Sequence, residues 1–276
     1  MVIYESALCC TFRNEKFNLI CHSFRLTALI DSNLPRLDRL SALLSALAPR
    51  ISTNSGPGTG EHTLWINLLA FTGSPPHGVV IAPSSCIAEG DVALWVHLEG
   101  PAAPMLMCEF AQPLRLPLAD ADVALQLAVQ TLWTEMVAPR CGQPAMLTHA
   151  GNMLFIGLLR HLVAHPNTEF GLFSGLNDPR IAKALVAIHT NPQASWSLES
   201  LSGYAGMSRT LFATQFKNVM GTPPGKYLSR FRLLVAQRAV LSGRGLKEAA
   251  RQSGYRDVSA LSRALGQARE RVLPKI

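Results

Sequence analysis

The chain has 276 residues, of which 48% are apolar and 16% charged, and this composition excludes a wholly disordered protein. At ~150 residues per domain, the length predicts two domains. No apolar run reaches the ~18 residues of a membrane-spanning helix, and the first residues lack the basic head and apolar core of a secretory signal. The six cysteines are scattered, so we expect a cytoplasmic chain with reduced thiols.

The positive charge is concentrated towards the C-terminal end. Residues 190–276 contain 14 basic and four acidic residues, a formal net charge of +10, whereas residues 1–189 carry −3. A basic segment on a mildly acidic body predicts a polyanionic partner, with DNA or RNA first. A solvated basic surface without a partner has the same composition and stays open as the alternative.

The first part of the chain changes its pattern twice. Residues 1–36 have no clear period and predict an irregular extension. Leucines spaced for one helix face then predict a helix over residues 37–47, which Pro49 ends. Short apolar segments separated by Gly and Pro follow and are typical of a β-barrel or sandwich. The predicted strands cover residues 63–69, 78–83, 91–98 and 105–110.

A second helical region precedes the basic segment. Residues 120–166 predict two helices that separate near residues 139–144. Residues 167–177 contain Gly and Asn and predict a linker. The domains expected are therefore an extension at 1–36, a domain of strands and helices at 37–166, the linker, and a helical domain at 178–276.

Residues 178–221 have the pattern of a helix-turn-helix. Asp178 caps a helix over 180–190, Ser197 and Ser200 cap the next, Gly206 permits a tight turn, and Ser208 caps a third helix over 209–219. We predict that Met207 fills the core and that the inner faces carry Leu198, Leu201, Tyr204, Ala205, Leu211, Phe212 and Phe216. A short turn of this kind sets two helices at a steep angle, so that the third helix can enter the major groove of DNA. The alternative is a pair of packed helices that binds no ligand.

A long helix and a second, similar unit follow. The helix is predicted over 225–241, and at 1.5 Å per residue it is ~25 Å long. Residues 246–255 repeat the pattern of a helix that ends in glycine, and Asp257 can cap a further helix over 258–268. We call this helix and the helix over 209–219 the two reading helices, because each is expected to enter the major groove. The two reading helices would then lie near one DNA turn apart, ~34 Å.

These motifs make residues 178–265 similar to the C-terminal DNA-binding domain of the AraC family of bacterial transcription regulators. The resemblance is carried by Asp178-Pro179-Arg180-Ile181, Ile188-His189, Trp196-Ser197-Leu198-Glu199-Ser200-Leu201, Gly206-Met207-Ser208-Arg209, Phe212, Phe216, Gly221-Thr222-Pro223-Pro224, Tyr227-Leu228, Arg232-Leu233 and Gly254-Tyr255. It implies sequence-specific binding of promoter DNA by two helix-turn-helix units.

The resemblance also implies which residues face DNA. In the first unit these are Ser208, Arg209, Thr210, Ala213, Thr214 and Lys217, and in the second Val258, Ser259, Ser262 and Arg263. Arg side chains would reach guanine edges or phosphates, and the hydroxyls bases or phosphates. Arg232 is equally compatible with a structural role and with a phosphate contact. The partners implied are double-stranded promoter DNA, RNA polymerase, a small effector of unknown identity and a second copy of the chain, with no membrane.

The second unit departs from the family pattern. Leu261 and Leu265 stand where the family usually has Phe, and the usual closing Gly-x-x-Pro-x-x-Tyr-Arg is absent. We therefore expect weaker packing in this unit and less sequence discrimination by its reading helix.

Residues 37–166 resemble, more loosely, the cupin-like sensor domain found in some AraC regulators. The fold class predicted is α+β, with an N-terminal cupin-like β-barrel and dimerisation helices before an all-α domain of two helix-turn-helix units joined by a linker helix. Residues 78–83 and 105–110 are expected to be the last barrel strands.

Enzyme chemistry has little support in the sequence. His62, His77 and His97 are widely spaced, and Cys86 stands where regulators of this type often keep a His, so we predict no metal, no cofactor and no enzymatic activity. Cys21, Cys86 and Cys108 are candidates for an oxidant-sensing thiol, although a buried apolar role is the alternative for Cys108. The sequence thus predicts a DNA-binding transcription regulator that senses a small effector or an oxidant. The alternative is a cupin-type binding protein or enzyme with a degenerate helical tail.

Overall fold

The described residues form helices and an antiparallel sheet, and the sheet lies in the first half of the chain. The computed structural model describes residues 37–47, 50–54, 63–71, 73–83, 94–99, 103–110 and 112–272. The predicted extension at 1–36, and with it Cys21, lies outside the described residues, as do His62 and Cys86.

The first half of the chain, described over parts of residues 37–164, contains both strands and helices. Its elements are α1 (Ser41–Leu47), β1 (Arg50–Asn54), β2 (Thr63–Leu69), β3 (Gly78–Pro83), β4 (Leu94–Glu99), α2 (Ala103–Met107), a 3₁₀ turn (Cys108–Phe110), β5 (Leu114–Pro117), a second 3₁₀ turn (Leu118–Asp120), α3 (Val123–Val137) and α4 (Gln143–Ala164).

The second half, described over residues 172–272, contains only helices and the turns that connect them. Its elements are α5 (Leu172–Asn177), α6 (Ile181–Thr190), α7 (Leu198–Ala205), α8 (Arg209–Met220), α9 (Pro224–Leu241), α10 (Leu246–Ser253) and α11 (Val258–Val272). Among the described residues, no helix is both long and apolar enough to cross a membrane.

The five strands that the structure describes pair antiparallel in the order β1-β4-β2-β3-β5. Trp65 lies opposite Trp95 across β2 and β4, and Ile66 lies opposite Ile81 across β2 and β3. Every residue of β3 is buried, so this strand is covered on both faces. The predicted strand at 78–83 is confirmed, and the closure of the described strands into a barrel stays a prediction.

The predicted strand at 105–110 is wrong, because this segment forms α2 and the first 3₁₀ turn, and the last described strand is β5. A short apolar run cannot by itself be distinguished from a buried helical turn. The helical turn here buries Met105, Leu106 and Phe110 together.

The segment predicted as a linker contains a packed helix. In α5, Leu172, Phe173 and Leu176 are all buried. Their side chains belong to a continuous core that includes Leu106 and Phe110 from the first half and Phe212 and Phe231 from the second. Residues 38–276 accordingly form one compact unit.

Hydrogen bonds join α1 and the residues just before it to the second half. The Arg39 guanidinium donates to the backbone oxygen of Leu176 at 2.8 Å. The Arg238 guanidinium on α9 donates to the backbone oxygen of Ser45.

Candidate nucleic-acid interface

The turn of the first unit has the geometry that its residues predict. Ser197 and Ser200 form a reciprocal capping box at the start of α7. Gly206 then adopts a left-handed conformation with φ of 65°, which glycine tolerates without steric cost. The Ser208 hydroxyl accepts from the backbone N–H of Leu211 and begins α8. The predicted caps and turn are therefore confirmed.

Helix α8 has two chemically different faces. Phe212, Phe216 and Met220 are buried. The ring centroids of Phe212 and Phe216 lie 5.5 Å apart, and Phe216 lies 5.8 Å from Tyr227 of α9. This aromatic packing fixes one side of the helix and leaves the other to solvent.

The exposed face of α8 carries the residues predicted for DNA. Arg209, Thr210, Thr214 and Lys217 are exposed, Ala213 is half-buried, and Ser208 is exposed at the cap. In the described part of the chain, the ion pairs are Arg140–Glu135 and Arg251–Glu248, so neither Arg209 nor Lys217 is neutralised by a carboxylate there. A polyanion can therefore approach both cations without first displacing a carboxylate.

Three expected core positions in this unit are exposed. Leu198 is 42%, Tyr204 55% and Leu211 50% exposed. Leu201, Ala205 and Phe212 take the buried side instead, and Met207 is half-buried against the core. Leu198 is exposed because it is the first residue of α7, whereas Tyr204 and Leu211 lie outside the buried arcs of their helices, so the predicted inner face was too wide. Tyr204 packs edge-on to Trp196 with ring centroids 5.3 Å apart.

The second half of α8 is held by the segment before α6. Asp178 accepts from the backbone N–H of Ile181, the first residue of α6, at 3.0 Å, and its other oxygen accepts from the Gln215 amide at 3.1 Å. The backbone N–H of Gly171 donates to the oxygen of Val219 at 2.9 Å. These contacts set the position of α8 relative to α5 and α6.

A buried carboxyl from the first half meets the same segment. Glu109 is 5% exposed, and its Oε1 accepts from the backbone N–H of Leu172 at 2.8 Å, at the start of α5. Burial raises the pKa of Glu109, although the Leu172 N–H acts to lower it. Glu109 Oε2 has no hydrogen-bond partner among the described residues. The first half thus contacts the element that positions α8.

Glu109 also lines a large open cavity. The cavity has a volume of about 1280 Å³, and α9 contributes Lys226, Arg230 and Leu234 to its wall. Phe170 contributes from the segment before α5. Residues of the first half and of both helix-turn-helix units therefore share one cleft.

The second unit repeats the plan with a smaller core. Gly254 has φ of 77° and ends α10, and the Asp257 carboxylate accepts from the backbone N–H of Ala260 at 2.7 Å to cap α11. Ser259, Ser262 and Arg263 are exposed and Val258 is half-buried. The core consists of Ala236, Ala239, Ala249, Ala250 and Leu261, with Tyr255 and Leu265 packed against it. Leu261 is fully buried where the family usually has Phe, and no described aromatic ring is fully buried there.

Arg232 has a structural contact. Its Nε donates to the backbone oxygen of Pro192 at 2.8 Å, and its Nη2 donates to that of Ala194 at 2.7 Å. Burial lowers the pKa of this guanidinium, while Tyr255 acts to raise it. The structural interpretation of Arg232 is thereby favoured over the phosphate contact.

The N-terminal candidates are not brought together. His77 is exposed and stacks on Phe71 with ring centroids 4.7 Å apart, and of His97 only the backbone, in β4, is described. Cys108 is exposed in the first 3₁₀ turn, not buried in a strand. Within the described ranges, no three His, Cys, Asp or Glu side chains are grouped closely enough to hold a metal ion.

Sequence reasoning did not identify Glu109 or Gln215. The partner of Glu109 is 63 residues away in the chain and that of Gln215 is 37 away, so no local pattern connects them. The sequence does contain one signal for Glu109, which is a charged residue within the otherwise apolar run 105–110. Because buried charges are rare unless they have a partner, a carboxylate at this place indicates a specific contact.

Two family descriptions match the chain. Residues 201–270 match a helix-turn-helix domain, and residues 90–164 match a cupin. The first match covers α8, α9, α10 and most of α11, which include both predicted reading helices.

Several bacterial regulators are similar over part of their length. An AraC-like transcription regulator of Streptomyces lividans is 31% identical over 167 residues, which are 59% of this chain and 55% of that protein. The HTH-type transcriptional regulator AlkR of Acinetobacter baylyi is 32% identical over 134 residues, 48% of this chain and 43% of its own. The RCS-specific HTH-type transcriptional activator RclR of Escherichia coli is 32% identical over 112 residues, 41% and 39% respectively.

This chain spans about half the length of the curated relatives it matches. The two matched segments follow the order of the observed elements, with sheet and paired helices before the two helix-turn-helix units. The chain therefore carries a segment similar to a cupin, followed by a segment similar to a helix-turn-helix domain, and the relatives it partly matches include AraC-like transcription regulators.

Proposed function

We propose that the chain is a sequence-specific DNA-binding transcription regulator that recognises its promoter mainly through α8. The observation that carries this proposal is the exposed face of α8, with Arg209, Thr210, Thr214 and Lys217, opposite a fully buried aromatic face. A helix fixed in this way after a tight turn is the element that enters the major groove. There, Arg209 would donate two hydrogen bonds to a guanine edge, while Lys217 would neutralise a phosphate.

The second unit has a supporting part in this proposal. On α11, Ser259, Ser262 and Arg263 are exposed and suited to bases or phosphates. Its core is built largely from alanines, which bury little apolar area. We therefore assign most of the base discrimination to α8, and to α11 a second contact on the same side of the operator.

The first half is proposed to sense a small effector or an oxidant. Cys108 is exposed, and it directly precedes Glu109, whose carboxyl contacts the start of α5. A chemical change at this thiol, or a ligand in the adjoining cleft, would act on the segment that positions α8. Cys21 and Cys86 remain candidates for the thiol chemistry and lie outside the described residues.

We also propose that the chain acts as a homodimer that contacts RNA polymerase at the promoter. Helix α4 exposes Met146, Met153 and Ile156, which its 3.6-residue period places on one side. Helix α3 exposes Val123, Leu127 and Val137. Apolar faces on two neighbouring helices are typical of surfaces that pair with a second copy.

A mobility-shift experiment tests the DNA-binding proposal. The full chain is titrated against the upstream region of its own gene, in the presence of excess unrelated DNA. We expect retention of that region at nanomolar protein concentrations, roughly 10³-fold tighter than unrelated DNA, and a steep loss of affinity with added salt. Equal, weak binding to every fragment would contradict sequence-specific regulation.

A further inference from the structure

The turn of the second unit lies directly against the first unit. Residues 192–194 lie in the loop between α6 and α7, which leads into the first helix-turn-helix. Arg232 of α9 donates to two backbone oxygens of this loop, those of Pro192 and Ala194. One guanidinium therefore joins the linker helix to the entrance of the first unit.

Gly254 brings the second unit to the same loop. A Cβ atom at this position would lie 2.8 Å from the Cα of Gln193, 2.9 Å from the oxygen of Pro192 and 3.0 Å from Nε of Arg232. The φ of 77° at Gly254 is in addition one that other residues rarely adopt. Backbone thus packs on backbone here, and the position has no room for a side chain.

The rest of the second unit is held less firmly. Its buried core consists of alanines on α9 and α10 with Leu261 of α11, and only Tyr255 and Leu265 pack against it, whereas the first unit packs Phe212, Phe216 and Phe231. Small side chains offer few contacts that resist a rotation of α10 and α11 about α9. The contact of Arg232 and Gly254 with residues 192–194 is consequently the one best placed to fix the angle between the units.

We infer that Arg232 and Gly254 are positioning residues that hold the two units at one separation and angle, so that the protein accepts its two half-sites at only one spacing. This inference rests on the proposed DNA-binding function. One DNA turn is ~10.5 base pairs, so each inserted pair rotates one half-site by about 34° relative to the other. A rigid pair of units cannot follow that rotation, but a hinged pair can.

A conservative substitution of Arg232 distinguishes a positioning role from a phosphate contact. Arginine presents a planar set of donors that reaches two carbonyl oxygens at once, whereas lysine keeps the charge but not the paired geometry. Arg232→Lys should therefore preserve a phosphate contact and disturb a positioning contact. Arg230→Gln on the same helix is the matched control, because Arg230 is exposed and its replacement removes a charge without touching residues 192–194.

The experiment compares spacings. A DNA sequence enriched by the wild-type chain from a random pool is rebuilt with one, two or five base pairs inserted between its half-sites. We expect the wild type to lose about tenfold or more in affinity with two inserted pairs, because one half-site is then rotated away from its recognition helix. For Arg232→Lys and Gly254→Ala, we expect weaker binding at the native spacing and a several-fold smaller penalty for insertion.

The outcomes separate the two proposals. Arg230→Gln should lower affinity by the same factor at every spacing. If Arg232→Lys keeps the wild-type penalty for insertion, the positioning role is overturned while DNA binding stands. A wild-type footprint on a single half-site overturns it as well, and failure of the wild type to enrich any sequence overturns the proposed function and the inference together. Because Gly254→Ala strains its turn, Arg232→Lys is the decisive variant, with thermal melting used to verify that it is folded.

Discussion

Arg209 and Lys217 share one exposed face of α8 but differ in what they can recognise. A guanidinium reads a guanine edge with two donors, whereas an ammonium is a point charge. Arg209→Ala should therefore lower discrimination at one base pair by about 1–3 kcal/mol. Lys217→Ala should weaken all sequences alike and reduce the salt slope by about 1.

Binding to a set of single-base variants of the operator, at two salt concentrations, measures both effects. Uniform weakening by Arg209→Ala would show that this side chain contacts only the backbone of DNA.

A buried histidine predicts acid sensitivity of the helical domain. His189 Nε2 lies 2.6 Å from the Tyr227 hydroxyl, its Nδ1 has no hydrogen-bond partner among the described residues, and burial lowers the pKa of His189 from 6.5 to about 3. Between these two values the unfolded chain binds a proton that the folded chain does not. The stability that neutral His189 provides is thus complete above about pH 6.5 and declines as the pH falls towards 3.

His189→Gln keeps a hydrogen-bonding group near Tyr227 and removes the titration. Urea unfolding between pH 4 and pH 8 should give a steeper acid loss of unfolding free energy for the wild type than for this variant. Equal slopes would mean that His189 is accessible to protons in the folded state.

At the scale of elements, the sequence predicted the helices of the C-terminal domain closely because their ends are set locally. Asp178, Ser197, Ser208 and Asp257 all accept from backbone N–H groups at the predicted helix starts. The predictions that were wrong concern segments whose structure depends on contacts with residues far away in the chain. Residues 105–110 are helical and α5 is buried because each packs against the other half of the chain. The local spacing of apolar residues gives no information about such distant contacts.

The contact of Glu109 with α5 yields a prediction about pH. Since the folded pKa of Glu109 is raised by burial, the folded state binds its proton more tightly than the unfolded state. This group therefore stabilises the fold most below the unfolded pKa of about 4.5, and that contribution is lost as the pH rises through the raised value.

Glu109→Gln retains an acceptor for the Leu172 N–H and should flatten the pH dependence of stability from pH 4 upwards. Glu109→Ala removes the acceptor and should cost about 1 kcal/mol more, comparable to the loss of a helix cap. Thermal melts across the pH range measure both. If the Gln variant retains the wild-type slope, Glu109 does not titrate differently on folding.

At the scale of the whole molecule, the charge asymmetry of the sequence indicated a polyanion partner, and the exposed cations of α8 and α11 agree with it. The dimer is the part of the proposal that can be tested independently of DNA. Met153→Glu places a charge in the exposed apolar face of α4 and should shift the protein from dimer towards monomer, because burial of an unpaired charge is costly. Met153→Leu keeps the face apolar and should remain dimeric.

Sedimentation of both variants over a range of protein concentrations is the measurement. A monomeric wild type, or a Met153→Glu variant that associates as the wild type does, would place the dimer contact elsewhere or remove it.

The central claim, that α8 gives this chain sequence-specific recognition of DNA, is tested most directly by selection from a random DNA pool with the 276-residue chain. We predict one enriched sequence containing two half-sites about one helical turn apart, ~10 base pairs between centres. The half-site bound by α8, which should be the stronger of the two, should lose its preferred base when the Arg209→Ala variant is used in the selection. A pool that shows no enriched sequence, or one whose enrichment is unchanged by Arg209→Ala, would contradict the claim.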